Sequence, residues 1–253
     1  KIIPALKVLK TIKNINVADR NSEIFELNNK KKINIVNTKF AKNKNLSYDC
    51  IIISTYPSSH IENILEFKNF GKNFIIEKPI SNDIKYILSD KFKNLYDKLN
   101  IVESLMFFHH PLYGDLKKLI ANNEYDSLEA KFTIPSLKDE QNFRYNKTLG
   151  GSAILDNGIY PISLISELTQ YNLKLISKNV NYHKKYGIDK NGEAFFTSQQ
   201  FKKINISWGM TGRYNNYVML KRKEENILIP YFFSKPENTI PQIYFNDNLL
   251  KNT

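Results

Sequence analysis

Cysteine occurs once in this 253-residue chain, at Cys50, so no intramolecular disulfide can hold the fold together. The thiol opens the apolar run Cys50-Ile51-Ile52-Ile53 and reads as a buried structural cysteine, which suits a reducing cytoplasm. Arginine is nearly as scarce. Arg20, Arg144, Arg213 and Arg222 are its only members, and the net charge of +12 is carried almost entirely by lysines spread along the chain. Arginine is the side chain suited to bidentate readout of bases and phosphates, so no specific nucleic-acid partner is expected. The tightest basic cluster, Lys30-Lys31-Lys32, reads as a solvated turn. No run of about 18 apolar residues exists, so no membrane-spanning helix is expected. No charged-then-apolar leader follows Lys1, so no export signal is read either, and the chain reads as cut or incomplete at that end. Glycine, finally, is absent before Gly71.

What is present is an alternation of apolar strands and helices. Helical apolar spacing covers residues 2–12. The strand Ile15-Asn16-Val17-Ala18 ends in Asp19-Arg20, and Asn21-Ser22-Glu23 opens a helix through Leu27. Residues 33–36 and 49–54 are further strands, the second wholly apolar in its centre. A helix to about Asn69, a strand over 73–76, a helix from about Asn82 to Leu99 and a strand over 101–104 follow. Continuous apolar strands separated by helices indicate a parallel sheet covered on both faces, with ligands bound at the carboxyl ends of the strands.

The pattern changes after Pro111. A helix over 112–121, a strand over 127–133 and a helix over 158–168 lead into short segments of partial period-two patterning. These are residues 173–181, 193–199, 203–208, 216–220, 227–233 and 242–245. The expected fold is therefore α/β: an incomplete, doubly wound, Rossmann-type parallel sheet in residues 1–108, then an α+β unit in 109–253 with a mostly antiparallel, open-faced sheet. A dinucleotide-binding unit carries a glycine-rich turn after its first strand, where backbone amides meet the pyrophosphate. With no glycine before Gly71, the chain reads as starting inside the first helix, without that strand and loop.

Several groups suit chemistry at these strand ends. Asp19 ends the second expected strand, where an acid accepts hydrogen bonds from both ribose hydroxyls of an adenosine and repels a 2′-phosphate, favouring NAD over NADP. Arg20 beside it can pair with such a phosphate or stack on adenine, and Asp19 as an ordinary turn residue is the alternative. The turn Ser54-Thr55-Tyr56-Pro57-Ser58-Ser59-His60 offers hydroxyls, backbone and rings to a cofactor groove, with His60 as either a wall or a cap. Glu77-Lys78-Pro79 follows the strand over 73–76, and Lys78 can stabilise negative charge developing on a substrate oxygen. The proline there suits a tight turn, cis or trans.

Gly150-Gly151 permits close backbone approach just before Asp156, Asn157 and Tyr160, and Asp156 and Tyr160, four apart, share one helix face. A lysine cation near Tyr160 would lower its pKa from the usual value near 10 and ease proton transfer. Arg144 can bind an anionic or hydroxylated substrate or form a structural ion pair. The adjacent His109 and His110 point in different directions in regular structure, and no spacing of zinc-ligand type is present, so no metal is expected.

Taken in order, these segments resemble the glucose-fructose oxidoreductase, inositol dehydrogenase and MocA family from about Ile2 to Phe233. The strand ending Val17-Ala18-Asp19-Arg20, the stretch 49–60 with its Thr-Pro-Pro-x-x-His-like turn, Gly71-Lys72 before Glu77-Lys78-Pro79, Glu103 to Pro111, and Phe143-Arg144 through Tyr160 carry the likeness. The form Asp156-Asn157-Gly158-Ile159-Tyr160 is similar to the glucose-fructose oxidoreductase, dihydrodiol dehydrogenase and sugar ketoreductase branch, in place of the histidine of inositol dehydrogenase-like members. The resemblance implies an NAD or NADP cofactor and hydride transfer at a hydroxyl or keto carbon of a sugar or nucleotide-sugar substrate. It also implies Tyr160 as general acid or base beside Lys78, and a homodimer or homotetramer formed through the C-terminal sheet. Tyr56 in place of the first proline, Ser152 in place of a third glycine, the absent phosphate loop and an early end at Thr253 depart from it. They keep open a truncated, non-catalytic relative that serves as a scaffold.

Overall fold

The computed structural model describes residues 6, 8–18, 33–36, 46–236 and 239–252. Asp19, Arg20 and the helix expected over 21–27 lie outside them. Strands β1 (Ile15–Ala18) and β2 (Ile33–Val36) pair in parallel. Strands β3 (Ile51–Ile53), β4 (Asn73–Ile76) and β5 (Asn100–Glu103) form a second parallel sheet in that order. Each connection within it runs through helix. Helix α1 (His60–Phe67) joins β3 to β4, and α2 (Ile84–Ile87) and α3 (Asp90–Tyr96) join β4 to β5. Burial of Ile53, Ile64, Phe74, Ile76, Phe92, Leu95, Leu99 and Ile101 makes one core from both layers.

Two expectations fail in this region. The single helix over 82–99 is broken at Ser89, whose extended backbone (ψ 152°) and side-chain oxygen, accepting from Phe92 N at 3.3 Å, cap a fresh helix. Cys50 is exposed, not buried, because it precedes the first paired residue of β3 and gains no cover from the sheet.

The remainder builds on one eight-stranded sheet. Helix α4 (Pro111–Asn122) leads to β6 (Ser127–Thr133), and α5 (Ile159–Leu168) precedes β7 (Lys174–Tyr182), β8 (Asp189–Thr197) and β9 (Lys203–Gly209). Strands β10 (Asn215–Arg222), β11 (Glu225–Pro230), β12 (Gln242–Phe245) and β13 (Asn248–Asn252) complete it. The order is β13-β12-β11-β10-β6-β9-β8-β7, antiparallel throughout except for the parallel pair β6–β9. One face packs on α4 and α5 around Leu116, Leu128, Leu164, Ile165, Ile206 and Val218. Leu105 and Phe107, just after β5, join this second core. The other face mixes polar side chains such as Glu129, Lys131 and Ser207 with Phe195, Tyr217 and Met219. The fold is the α/β arrangement expected, a Rossmann-type parallel region followed by a mostly antiparallel open-faced sheet. Among the described residues no helix is long and apolar enough to cross a membrane.

Candidate active site

Strands β3 and β4 end side by side, and their turns form one wall of a cleft. Glu77 N donates to Ile53 O at 2.9 Å, which extends the pairing to the first residue beyond β4. The Lys78–Pro79 peptide is cis. Two side chains hold the turn through its peptide groups: the carboxylate of Glu103 accepts from Ile80 N at 2.7 Å, and His60 Nδ1 lies 2.8 Å from Pro79 O. His60 Nε2 lies 3.0 Å from Thr55 O, so one fully buried imidazole ties both turns together. It sits beneath the wall, whereas Ser54, Thr55, Pro57, Glu77 and Lys78 line the cleft. Tyr56 is exposed and tilts against Phe143 with ring centroids 5.2 Å apart.

The facing wall is carried by residues 143–160. Gly150 has φ +90°, and a Cβ on it would fall 2.7 Å from Pro57 Cβ. A Cβ on Gly151 would fall 2.5 Å from the carbonyl oxygens of Phe143 and Arg144. The two glycines thus let this segment close onto the β3 turn and onto itself. The next residues form a π-helical turn, Ile154–Gly158, that runs into α5. Such turns recur at functional sites because they re-aim side chains within a helix.

The two walls meet at Asp156. Lys78 Nζ donates to Asp156 Oδ1 at 2.6 Å and to the Asp156 carbonyl at 2.7 Å, and Arg144 Nε donates to Oδ2 at 2.7 Å. The side chains of Lys78 and Asp156 are 14% and 12% exposed, so this pair is largely desolvated. Burial alone would raise the Asp156 pKa. The charges of Lys78 and Arg144 and their hydrogen bonds outweigh it and hold the carboxyl below its ordinary value.

Tyr160 differs from the expectation. Its ring packs among Phe107, Phe132 and Phe233, with Lys78 Nζ 5.3 Å from the ring centroid. Its pKa is raised, not lowered. Burial is the largest cause, the charges of Asp156, Glu77 and Glu103 add to it, and Arg144 opposes. The Lys78 ammonium donates twice to Asp156 and lies over the ring face of the tyrosine. Among the described residues the Tyr160 hydroxyl makes no hydrogen bond, and the residue does not line the cleft cavity of about 190 Å³.

Of the expected residues the structure therefore gathers Ser54, Thr55, Pro57, Glu77, Lys78, Arg144 and Asp156 on one cavity, with Tyr160 adjoining through Lys78. Pro79, Phe143, Gly150, Gly151, Ser152 and Leu155 complete the lining. Glu103, which pins the cis turn, was quoted in the resemblance but given no role. Its place at the end of a strand adjoining β4 was the available signal. Among the described residues no group of three or more His, Cys, Asp or Glu is placed to hold a metal ion. His110 instead caps α4, its Nδ1 accepting from Leu112 N at 3.2 Å.

Parallel strands ending on a cleft, faced by the segment 143–160 of a unit built on a mostly antiparallel sheet, define a Rossmann-type α/β fold. A solved 3-ketoreductase from Actinomadura kijaniata, in complex with NADP and TDP-benzene, superposes with a TM-score of 0.83 at 20% identity, over 99% of this chain and 78% of that one. An aldose-aldose oxidoreductase from Caulobacter crescentus superposes with a TM-score of 0.67 at 13% identity, over 81% of this chain and 62% of that one. No family model matches the sequence. In sequence, the dTDP-3,4-didehydro-2,6-dideoxy-alpha-D-glucose 3-reductase of Actinomadura kijaniata is 24% identical over 200 residues, 78% of this chain and 60% of its own length. The enzyme of that name from Saccharopolyspora spinosa is 25% identical over 195 residues, 74% of this chain and 57% of its own length. The chain thus spans under two thirds of the length of these curated relatives.

Proposed function

We propose that this chain belongs to a nicotinamide-dependent oxidoreductase that reduces a keto carbon on a nucleotide-linked sugar. The observation that carries the reading is the ion triad Lys78–Asp156–Arg144 at the cleft where β3 and β4 end, with a protonated Tyr160 against it. The residues present fit the nicotinamide half of a dinucleotide, because Ser54, Thr55 and Glu77 offer polar atoms on a wall that the close approach of Gly150 to Pro57 keeps free of side-chain bulk. A reduced nicotinamide bound there supplies the hydride. Tyr160, a neutral phenol at pH 7, is the proton donor to the substrate oxygen, and Lys78 stabilises the charge developing on that oxygen. Asp156 holds Lys78 and Arg144 at fixed distances, and Arg144 retains hydrogen-bond donors for substrate hydroxyls or phosphate.

The dinucleotide in this reading is NADP. The similar solved ketoreductase holds NADP, which does not support the preference for NAD drawn from Asp19, and Arg20 beside it supplies a cation for a 2′-phosphate. Residues 1–108 serve the cofactor and 109–253 the substrate, in a cytoplasmic enzyme whose copies pair through the open sheet face as a homodimer or homotetramer. A polar hollow of about 410 Å³ between Lys131, Asn181, Asn191, Asn205 and Arg213 on that face suits such packing. Titration with NADPH and NADH, followed by cofactor fluorescence and then by turnover on a 3-keto nucleotide sugar, tests the proposal. Binding of neither dinucleotide would sink it and leave a non-catalytic scaffold.

A further inference from the structure

Asp189 opens β8, far from the cleft in sequence, and is 6% exposed. Its carboxylate accepts three hydrogen bonds. The Ser152 hydroxyl donates to Oδ1, Ile154 N donates to Oδ2 at 2.8 Å, and the Trp208 indole Nε1–H donates to Oδ2 at 2.9 Å. Two of these donors stand at the entrance to the π-helical turn that carries Asp156. The third belongs to a ring that braces the exit of the same turn, where a Cβ on Gly158 would lie 3.1 Å from Trp208 Cγ. A buried carboxylate with three donors is worth its desolvation only while all three stay in place, so the arrangement resists displacement of the turn. Ser152 stands where the resembled family carries glycine, so here the entrance is tied down by a side chain where glycine has none.

We infer that Asp189, through Ser152, Ile154 and Trp208, is the positioning residue that holds the π-helical turn so that Asp156 stands between Lys78 and Arg144. Asp189 does not touch the cleft and acts only through the turn. The inference rests on the proposed oxidoreductase reading for its effect on turnover, but not for its effect on the turn itself.

Asp189→Asn keeps the shape of the side chain while removing its charge. Two readouts follow. In turnover with NADPH, kcat is expected to fall about tenfold or more while KM for NADPH stays within about twofold. In hydrogen exchange read by mass spectrometry, residues 152–158 are expected to exchange at least about tenfold faster while β3 to β5 stay as in the parent. Trp208 is the sole tryptophan, so the indole N–H resonance is expected to shift with the loss of its charged acceptor. Unchanged exchange over 152–158 overturns the inference, whether or not the parent turns over any substrate, and this separates its failure from failure of the oxidoreductase reading. Faster exchange across the whole chain, with kcat merely tracking the folded fraction, assigns Asp189 to general stability and also overturns it. Should Asp189→Asn not fold, Ser152→Ala removes one donor alone. Faster exchange confined to 152–158 then supports the inference, and no change overturns it.

Discussion

The two walls of the cleft are held by different means. The wall from β3 and β4 is pinned mainly through peptide groups, with His60 set between the carbonyls of Thr55 and Pro79 and Glu103 receiving the Ile80 N–H. The wall from residues 143–160 depends on buried charge, with Asp156 between Lys78 and Arg144. Peptide contacts set shape, and paired charges set both shape and protonation. The second wall is therefore the one that substitution of a charge should break, whereas acid reaches Glu103 of the first wall, its pKa raised by burial, before it reaches Asp156.

The largest effect is expected from Asp156→Ala, which leaves Lys78 and Arg144 without their counter-ion in a poorly solvated site. Breaking a buried pair in this way costs about 3–5 kcal/mol. Urea unfolding measures it, and a loss under about 1 kcal/mol would mean that water already screens the triad. Next, Tyr160→Phe keeps the ring among Phe107, Phe132 and Phe233 but removes the proton. Turnover is expected to fall by about 10² or more, some 2.7 kcal/mol in barrier, with NADPH affinity kept. Unchanged turnover would remove the tyrosine from the chemistry.

On the peptide-held wall, His60→Ala removes the buried imidazole beside Pro79 O and is expected to cost about 1–3 kcal/mol, read by the same unfolding experiment. The smallest effect is the acid response of the parent. The folded pKa of Asp156 lies below its unfolded value of about 3.9, so its contribution is fully present above that value and is lost as pH falls through the folded one. Asp156→Ala should flatten this part of the stability profile, and a slope that survives the substitution would place the acid sensitivity elsewhere.

How much of this was legible in the sequence depended on distance along the chain. The apolar runs of β3 and β4 and the turn residues after them announced one wall, because strand, turn and chemistry are contiguous there. The helix break at Ser89 was missed although Ser89-Asp90 is itself an N-terminal signal, since apolar spacing continued across it. The pKa of Tyr160 was read with the wrong sign. Its surroundings come from the separate segments that hold Phe107, Phe132 and Phe233, and spacing cannot tell that Lys78 gives its ammonium to Asp156. Asp189 was invisible for the same reason, lying 37 residues from Ser152. Asp19 and Arg20 fall outside the described residues, so the adenosine end of the reading rests on the sequence.

The placement of β6 has a consequence for how the chain assembles. Strands β7 to β9 follow one another as a meander, β10 to β13 as a second, and β6 alone joins them, parallel to β9 and antiparallel to β10. Each meander closes short loops, whereas β6 must find partners far along the chain, and long-range pairings of this kind form slowly. Pulse-labelled refolding should therefore protect both meanders before β6. Because β6 brings Phe132 to the ring of Tyr160, the tyrosine gains its apolar surroundings only when that seam closes. A nascent or partly unfolded chain would then carry a solvated phenol of ordinary pKa in place of the apolar-packed ring of the finished fold.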